Sequence, residues 1–413
     1  MMYREWHGAC LFSCGGQFPP DAREAAQPFS PLVILENRPA KDSSGLRFIR
    51  SARELGEPDG LARLMPCRAD APVLPQEVNA LIEKDGAIVL NTAFSRAFSV
   101  LSAQLARKKS GLRVNLVGLG DVGGTVLTGL KLLGGGGIET IGIFDPYEPL
   151  MARYAMELGQ VLPLYDNEAL PEVSVCREPD LFHCDVLIFT AARGVPAVGS
   201  NVQDVRMAQF AKNREMLRAY ARRAREENFC GLFCQVSDPV DPLARALFLD
   251  SNRAQSGEYD FAGLLPEQVR GFGLGVMQAR AAYAAKRLGA DFTRGRAFGP
   301  HGEGLVVGNA PNDGYDAALS EALTEQARTL NLQVRELGFK PYIAPGLSSA
   351  AVSILRMLRG DWFESAVALG GCYFGCRSRL CGAAAETYRE ALAPALAARL
   401  EASYAALREL RYE

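Results

Sequence analysis

The chain has 413 residues, of which 48% are hydrophobic and 22% charged, and a formal net charge of −2. Its length exceeds the ~250–300 residues that one core usually organises, so two or three domains are expected. The near-neutral balance leaves no electrostatic footprint for nucleic acid or an anionic membrane, and no apolar run approaches the ~20 residues of a membrane span.

The N-terminal stretch MMYREWHGACLFSCGGQ carries charge early and lacks an apolar core, so no signal peptide is expected. The ten cysteines are accordingly expected as reduced thiols in a cytoplasm. Cys372, Cys376 and Cys381 lie close together but lack a second C-x-x-C or a nearby histidine, so no metal site is expected.

The first thirty residues read as loop, with Gly15-Gly16 and Pro19-Pro20. Leu32 to Leu35 reads as a strand, Arg50 to Leu64 as one or two broken helices, Ala87 to Leu90 as a strand and Ala93 to Lys109 as an amphipathic helix. Residues 1–110 are thus expected to form a small α/β extension, structural or oligomerising in role.

Regular strand–helix alternation begins at residue 111. The apolar run Val114 to Val117 suits a buried parallel strand. Gly118, Gly120 and Gly123 follow as G-x-G-x-x-G, enclosing Asp121 and Val122, and a helical segment runs on to Leu133. A second strand, Ile138 to Phe144, ends in Asp145, which lies 22 residues after Gly123. This is the pattern of a dinucleotide-binding βαβ unit. The glycines permit the tight turn, close approach of a pyrophosphate and close helix packing, and the phosphates sit on the helix N-terminus. The acid, near the expected ~20-residue spacing, accepts the ribose hydroxyls and should repel a 2′-phosphate, which favours NAD over NADP. Strands Asp185 to Thr190 and Leu232 to Val236 follow, separated by a long helix from Arg206 to about Asn228. Residues after Val117, Phe144, Thr190 and Val236 should border one crevice at the strands' carboxyl ends. The expected architecture is α/β, with a Rossmann-type doubly wound parallel sheet over 111–252. A mixed α+β catalytic domain is expected over 253–413, with helices at 273–288, 317–337, 348–358 and about 386–410.

Taken in order, these motifs resemble the lactate/malate dehydrogenase family from about Gly111 to the C-terminus. The fingerprint glycines and Asp145 come first. Thr190-Ala191-Ala192 is similar to the family's T-A-G, and Arg206 with Asn213 resembles its loop arginine and following asparagine. Asp238-Pro239-Val240-Asp241 stands at its N-P-V-D, and Gly271 to Arg280 at its G-x-G-x-x-L-D-x-x-R. Gly299-Pro300-His301-Gly302-Glu303 matches its G-x-H-G-(D/E). The resemblance implies an NAD-dependent oxidoreductase acting on a small 2-hydroxy or 2-oxo carboxylate, and a homo-oligomer. It also implies cofactor contacts from Gly118, Gly120, Asp121, Val122, Gly123, Asp145, Thr190, Ala191, Ala192 and Asn213.

The chemistry can also be argued from the side chains. Reduction of a 2-oxo acid needs a proton for the new alkoxide, and histidine is its natural donor near neutral pH. Of the three histidines, only His301 lies in a glycine-flanked loop of the second half. Arg280 is suited to clamp a carboxylate with its two-donor fork, and Arg206 to polarise the carbonyl as a loop closes. Two departures bear on mechanism. Met277 stands where the family has the aspartate that orients the histidine, and Asp238 where it has an asparagine. Either Asp238 or Glu303 then becomes the carboxylate partner of His301, with a substrate that can bear a cationic group, or the chain is a catalytically degenerate NAD-binding regulator or scaffold. The loop Gly194 to Val205 also lacks the arginine of malate-specific members. Lys340 is expected near a pocket position where relatives have a small hydroxyl residue.

Overall fold

The computed structural model describes residues 3–108, 110–163, 169–193 and 205–412, with the side chains of 205–208 outside the description. The N-terminal part contributes β1 (Tyr3–Trp6), β2 (Ala9–Ser13), β3 (Arg23–Glu24), β4 (Leu32–Glu36), β5 (Leu46–Ile49), α1 (Gln76–Asp85), β6 (Ala87–Asn91) and α2 (Ala97–Ala106). Next come β7 (Leu112–Val117), α3 (Asp121–Leu133), β8 (Ile138–Phe144), α4 (Glu148–Gly159) and β9 (Glu172–Val175). They are followed by β10 (Val186–Phe189), α5 (Val205–Glu226), β11 (Leu232–Gln235), α6 (Val240–Ser251) and β12 (Val269–Gly271). The last part holds α7 (Leu274–Arg287), β13 (Arg296–Phe298), β14 (Val306–Gly308), α8 (Ala317–Glu336) and a π-helical turn, Pro345–Ala351, running into α9 (Val352–Arg359). Strands β15 (Phe363–Leu369), β16 (Cys372–Cys381) and β17 (Ala384–Thr387) and helix α10 (Pro394–Arg408) complete it.

Six strands pair in the order β9-β8-β7-β10-β11-β12, all parallel. This is the doubly wound Rossmann order, in which the chain reverses direction across the sheet between β7 and β10. Register places Phe144, Val117, Phe189, Gln235 and Gly271 in one row. The residues that follow each of them therefore share one edge, which becomes the crevice. The strands read as continuous apolar runs because helices cover both faces. Val114, Leu116, Val126 and Leu130 are buried in a core on one face, and Leu187, Phe189, Phe233 and Phe248 on the other.

The same sheet continues beyond β12 through antiparallel β15, β16 and β17, reaches β5 by a single pair, Ala385 with Arg47, and ends in β6, β4, β2, β1 and β3. Further contacts tie the N-terminal part down. Glu267, beside β12, accepts the Gly45 and Leu46 amides at 3.0 and 2.9 Å, and Arg245 of α6 pairs with Asp42 at 2.9 Å.

Several sequence expectations are corrected. The first thirty residues are not all loop, since they form β1, β2 and β3. The C-terminal helix begins at Pro394 rather than Glu386, because residues 363–387 are strands. Arg50 to Leu64, by contrast, folds as expected into two short helical turns, Ala52–Leu55 and Leu61–Leu64. No described helix is long and apolar enough to cross a membrane.

Candidate active site

The fingerprint segment crosses from β7 to α3 as the glycine spacing predicts. Gly118 has φ 93°, and a Cβ there would sit 2.6 Å from the Ala191 amide nitrogen, so this turn admits no larger residue. A Cβ on Gly123 would meet the Gly118 carbonyl and the Thr190 hydroxyl, whereas one on Gly120 would point into open space. Gly120 caps α3 with no side-chain hydrogen bond, leaving first-turn amides directed at the crevice. Thr190 braces the turn by donating to the Val117 and Gly118 carbonyls at 3.0 and 2.6 Å.

Asp145 ends β8 and is fixed by two amides, Leu119 N–H to Oδ2 at 2.9 Å and Tyr147 N–H to Oδ1 at 3.0 Å. A carboxylate has about four acceptor positions, so two remain for ribose hydroxyls. Asp121, in the first turn of α3, pairs with Lys340 at 2.9 Å. Lys340 is therefore an exposed ion-pair partner of the fingerprint helix. Asn213 is fully buried and spans two crevice loops. Its Oδ1 accepts the Arg193 amide at 2.7 Å and its Nδ2 donates to the Asp238 carbonyl at 2.6 Å.

His301 lies between β13 and β14, in a loop held to β16 by the Gly299 amide donating to the Gly375 carbonyl at 2.9 Å. Its Nδ1 is 2.7 Å from the Gly273 carbonyl oxygen. That oxygen can only accept, so Nδ1 carries the hydrogen and the neutral ring presents the Nε2 lone pair. The His301 ring packs against Gly273, where a Cβ would lie 2.6 Å from the His301 Cβ. Nε2 faces the Asp238 carboxylate at 3.8 Å, beyond hydrogen-bond range but close enough to stabilise an imidazolium. Asp238 is 54% exposed along its side chain, so in open water this pairing contributes about 1 kcal/mol or less. A substrate that displaces water would strengthen it. Glu303, the other candidate partner, instead pairs with Arg328 at 2.9 Å.

Two further residues support this histidine, and neither is assigned a role by the sequence. Asp241, the second acid of the D-P-V-D motif, accepts the His301 backbone amide at 2.9 Å. Burial pushes the Asp241 carboxyl up to about 7 despite that hydrogen bond. Ser349, in the π-helical turn, donates to the same Gly273 carbonyl at 2.7 Å and accepts the Val276 amide at 2.8 Å. It thereby fixes both the carbonyl and the start of α7. Asp241 was visible as a motif member. Ser349 is brought in from 76 residues away and could be found only in three dimensions.

Arg280 lies on α7 one turn beyond Met277 and is 8% exposed. Its contacts are the Met277 sulfur at 3.9 Å and the Ala327 carbonyl at 3.5 Å, with no carboxylate in ion-pair range among the described residues. Burial lowers its pKa, and the charge that opposes the shift is Asp238. A nearly buried guanidinium without a bonded anion is chemically suited to receive one. Arg206 lies in the first turn of α5, but its side chain falls outside the described residues, as does the loop Gly194 to 204.

With this geometry in view, the fold is that of the lactate and malate dehydrogenases. Malate dehydrogenase from Archaeoglobus fulgidus in complex with NADH superposes with a TM-score of 0.59 at 18% identity, covering 72% of this chain and 98% of that one. A minor L-lactate dehydrogenase from Enterococcus mundtii gives 0.59 at 16%, covering 74% and 100%. Malate dehydrogenase from Plasmodium falciparum gives 0.58 at 15%, covering 72% and 96%. In sequence the chain is similar to malate dehydrogenase of Sulfurimonas denitrificans, 25% identical over 199 residues, or 48% of this chain. The match spans only 56% of that relative's length. No protein-family model matches the chain. The resemblance read from the motifs thus extends to the fold.

Proposed function

We propose that the chain is an NAD-dependent oxidoreductase that transfers hydride between NAD(H) and a small 2-hydroxy or 2-oxo carboxylate. The observation carrying this reading is His301, held in one tautomer by the Gly273 carbonyl with Nε2 turned toward Asp238, above the strand edge that bears the glycine fingerprint. The residues present fit a dinucleotide. Uncapped amides at the start of α3 would take the pyrophosphate, and Asp145 the adenosine ribose. When bound, the nicotinamide supplies or accepts the hydride.

The protein groups divide the remaining work. Protonated His301 donates its Nε2 proton to the alkoxide oxygen as the carbonyl is reduced, and takes it back in the oxidative direction. Gly273 replaces the missing orienting aspartate by fixing the ring through Nδ1, while Asp238 stabilises the charged ring from the other nitrogen. Arg280 binds the substrate carboxylate, and Arg206 closes over the carbonyl. Asp238 also admits a substrate bearing a cationic group near the reacting carbon. The homologous dehydrogenases' fold and the NADH complex of the Archaeoglobus protein support the cofactor assignment.

The test is NADH oxidation against a panel of small 2-oxo acids, with and without ammonium. Saturable turnover of at least one member is expected. If NADH binds but no member is turned over under either condition, this reading fails and the chain is an NAD-binding regulator.

A further inference from the structure

We propose that the cleft between α5 and the turn after α6 is a second ligand site, for a compact anion carrying two or more phosphate groups. The cleft has a volume of about 620 Å³ and is lined by Arg214, Arg218, Arg222, Arg225 and Glu226 of α5, by Asp250 at the end of α6, and by Arg253 in the following turn. The helical arginines are spaced four, four and three apart, so they form one stripe whose neighbours lie about 5–6 Å apart at Cβ. Like charges at that spacing repel unless an anion lies among them.

Among the described residues the carboxylates nearby leave the stripe in excess: Glu226, which also lines the cleft, has no arginine within ion-pair range, and the two aspartates are already engaged. Asp250 is engaged by both nitrogens of Arg214's fork at 3.1 and 2.9 Å, leaving Arg218 at 3.6 Å from an oxygen already in use. Asp260 is taken by the fork of Arg225 at 2.7 and 2.5 Å. Arg253 is stacked on Tyr259, 4.9 Å from the ring centroid, and donates to its hydroxyl at 2.8 Å. Arg222 makes no hydrogen bond or ion pair among the described residues. Arg218 and Arg222 therefore present two guanidinium forks, one helical turn apart, to a concave space.

Paired planar forks match phosphate oxygens bidentately, and two of them can hold separate phosphate groups of one molecule. The volume lies within the range of small-molecule sites. A nucleic-acid strand fits less well, because the stripe is confined to one helix and the whole chain carries a net −2. The site is separate from the crevice. Asn213 reaches the crevice loops, whereas Arg214 beside it turns to Asp250.

The experiment is calorimetric titration of the full chain with inorganic tripolyphosphate, with orthophosphate as the single-phosphate comparison. Saturable 1:1 binding is expected, tighter than orthophosphate by tenfold or more and weakening as salt rises. Arg222→Gln, which removes no internal contact, should weaken it at least fivefold, and Arg218→Gln/Arg222→Gln should abolish it. Arg153→Gln, on another helix, should leave it unchanged. The binding should persist in saturating NADH, since the two sites differ. Absence of saturable binding, unchanged affinity in Arg222→Gln or displacement by NADH would each overturn the proposal. So would tighter binding of a single-stranded oligonucleotide through the same two arginines. Because the readout is binding, it does not depend on whether any 2-oxo acid is turned over.

Discussion

At the residue scale, the proposed chemistry depends on a substitute for the orienting carboxylate. Met277 cannot accept a hydrogen bond from an imidazole with useful strength, but the Gly273 carbonyl does so at 2.7 Å. A neutral carbonyl fixes the tautomer and does little for the imidazolium charge, so that second role passes to Asp238 on the opposite nitrogen. On the proposed reading, Asp238 in place of asparagine and Met277 in place of aspartate make one compensated difference. Asp145 supports a separate prediction. Asp145→Ala removes an acceptor for the ribose and the repulsion of a 2′-phosphate, so NADH should bind about tenfold more weakly while the gap to NADPH narrows. Fluorescence titration of both nucleotides checks this, and an unchanged preference would remove Asp145 from the site.

At the element scale, the parts of the fold legible in sequence were those with strong periodicity or punctuation. The β7–α3–β8 unit could be read because glycines, apolar runs and a terminal acid all occur in the right places. The strands at 363–387 could not be read that way, because β15 and much of β16 are buried on both faces and show no alternation. The overlooked signal was turn chemistry. Gly370-Gly371, both at positive φ, joins Leu369 to its partner Cys372, and His7-Gly8 joins Trp6 to Ala9 in the same manner. Motif order marks Met277, Arg280 and His301. It does not mark Ser349 or the Gly273 carbonyl, since neither has a composition that points to a role. Strand β12 supplies a stability prediction. Arg270 is fully buried, and its Nη1 reaches Ser378 at 3.2 Å while Nε and Nη2 lack partners. Desolvation of that charge is only partly offset by the field of buried Glu267, so Arg270→Met should raise the denaturation midpoint, by about 1–4 kcal/mol of stability. A lower midpoint in urea would show that Arg270 is held by more than its visible contacts.

At the scale of the whole molecule, one sheet joins the N-terminal part to the site-bearing strands, with buried Glu267 at that junction and buried Asp241 beneath the His301 loop. Burial raises Asp241 from 3.8 to about 7 and Glu267 from 4.5 to about 6. The sign follows directly. A carboxyl with a raised native pKa binds more protons in the folded state, so its stabilisation is complete below pH ~4 and is lost as pH rises through its folded pKa. Stability from these groups should therefore fall between about pH 4 and 7. Asp241→Asn keeps an acceptor for the His301 amide and removes the titration, so it should flatten that slope by up to about 4 kcal/mol over the interval. Parallel urea denaturations at pH 5 and 8 check it, and an unaltered slope would place the Asp241 carboxyl in a more polar setting than its burial indicates.

The measurement that bears most directly on the central claim is steady-state NADH oxidation, with the best 2-oxo acid, by wild type, His301→Asn and Asp238→Asn, alongside NADH affinity for each. Loss of the proton donor should lower kcat by 100-fold or more in His301→Asn, and loss of its charge partner by about tenfold in Asp238→Asn, with NADH affinity unchanged in both. Wild-type turnover in His301→Asn would contradict the account, because the proton would then come from elsewhere.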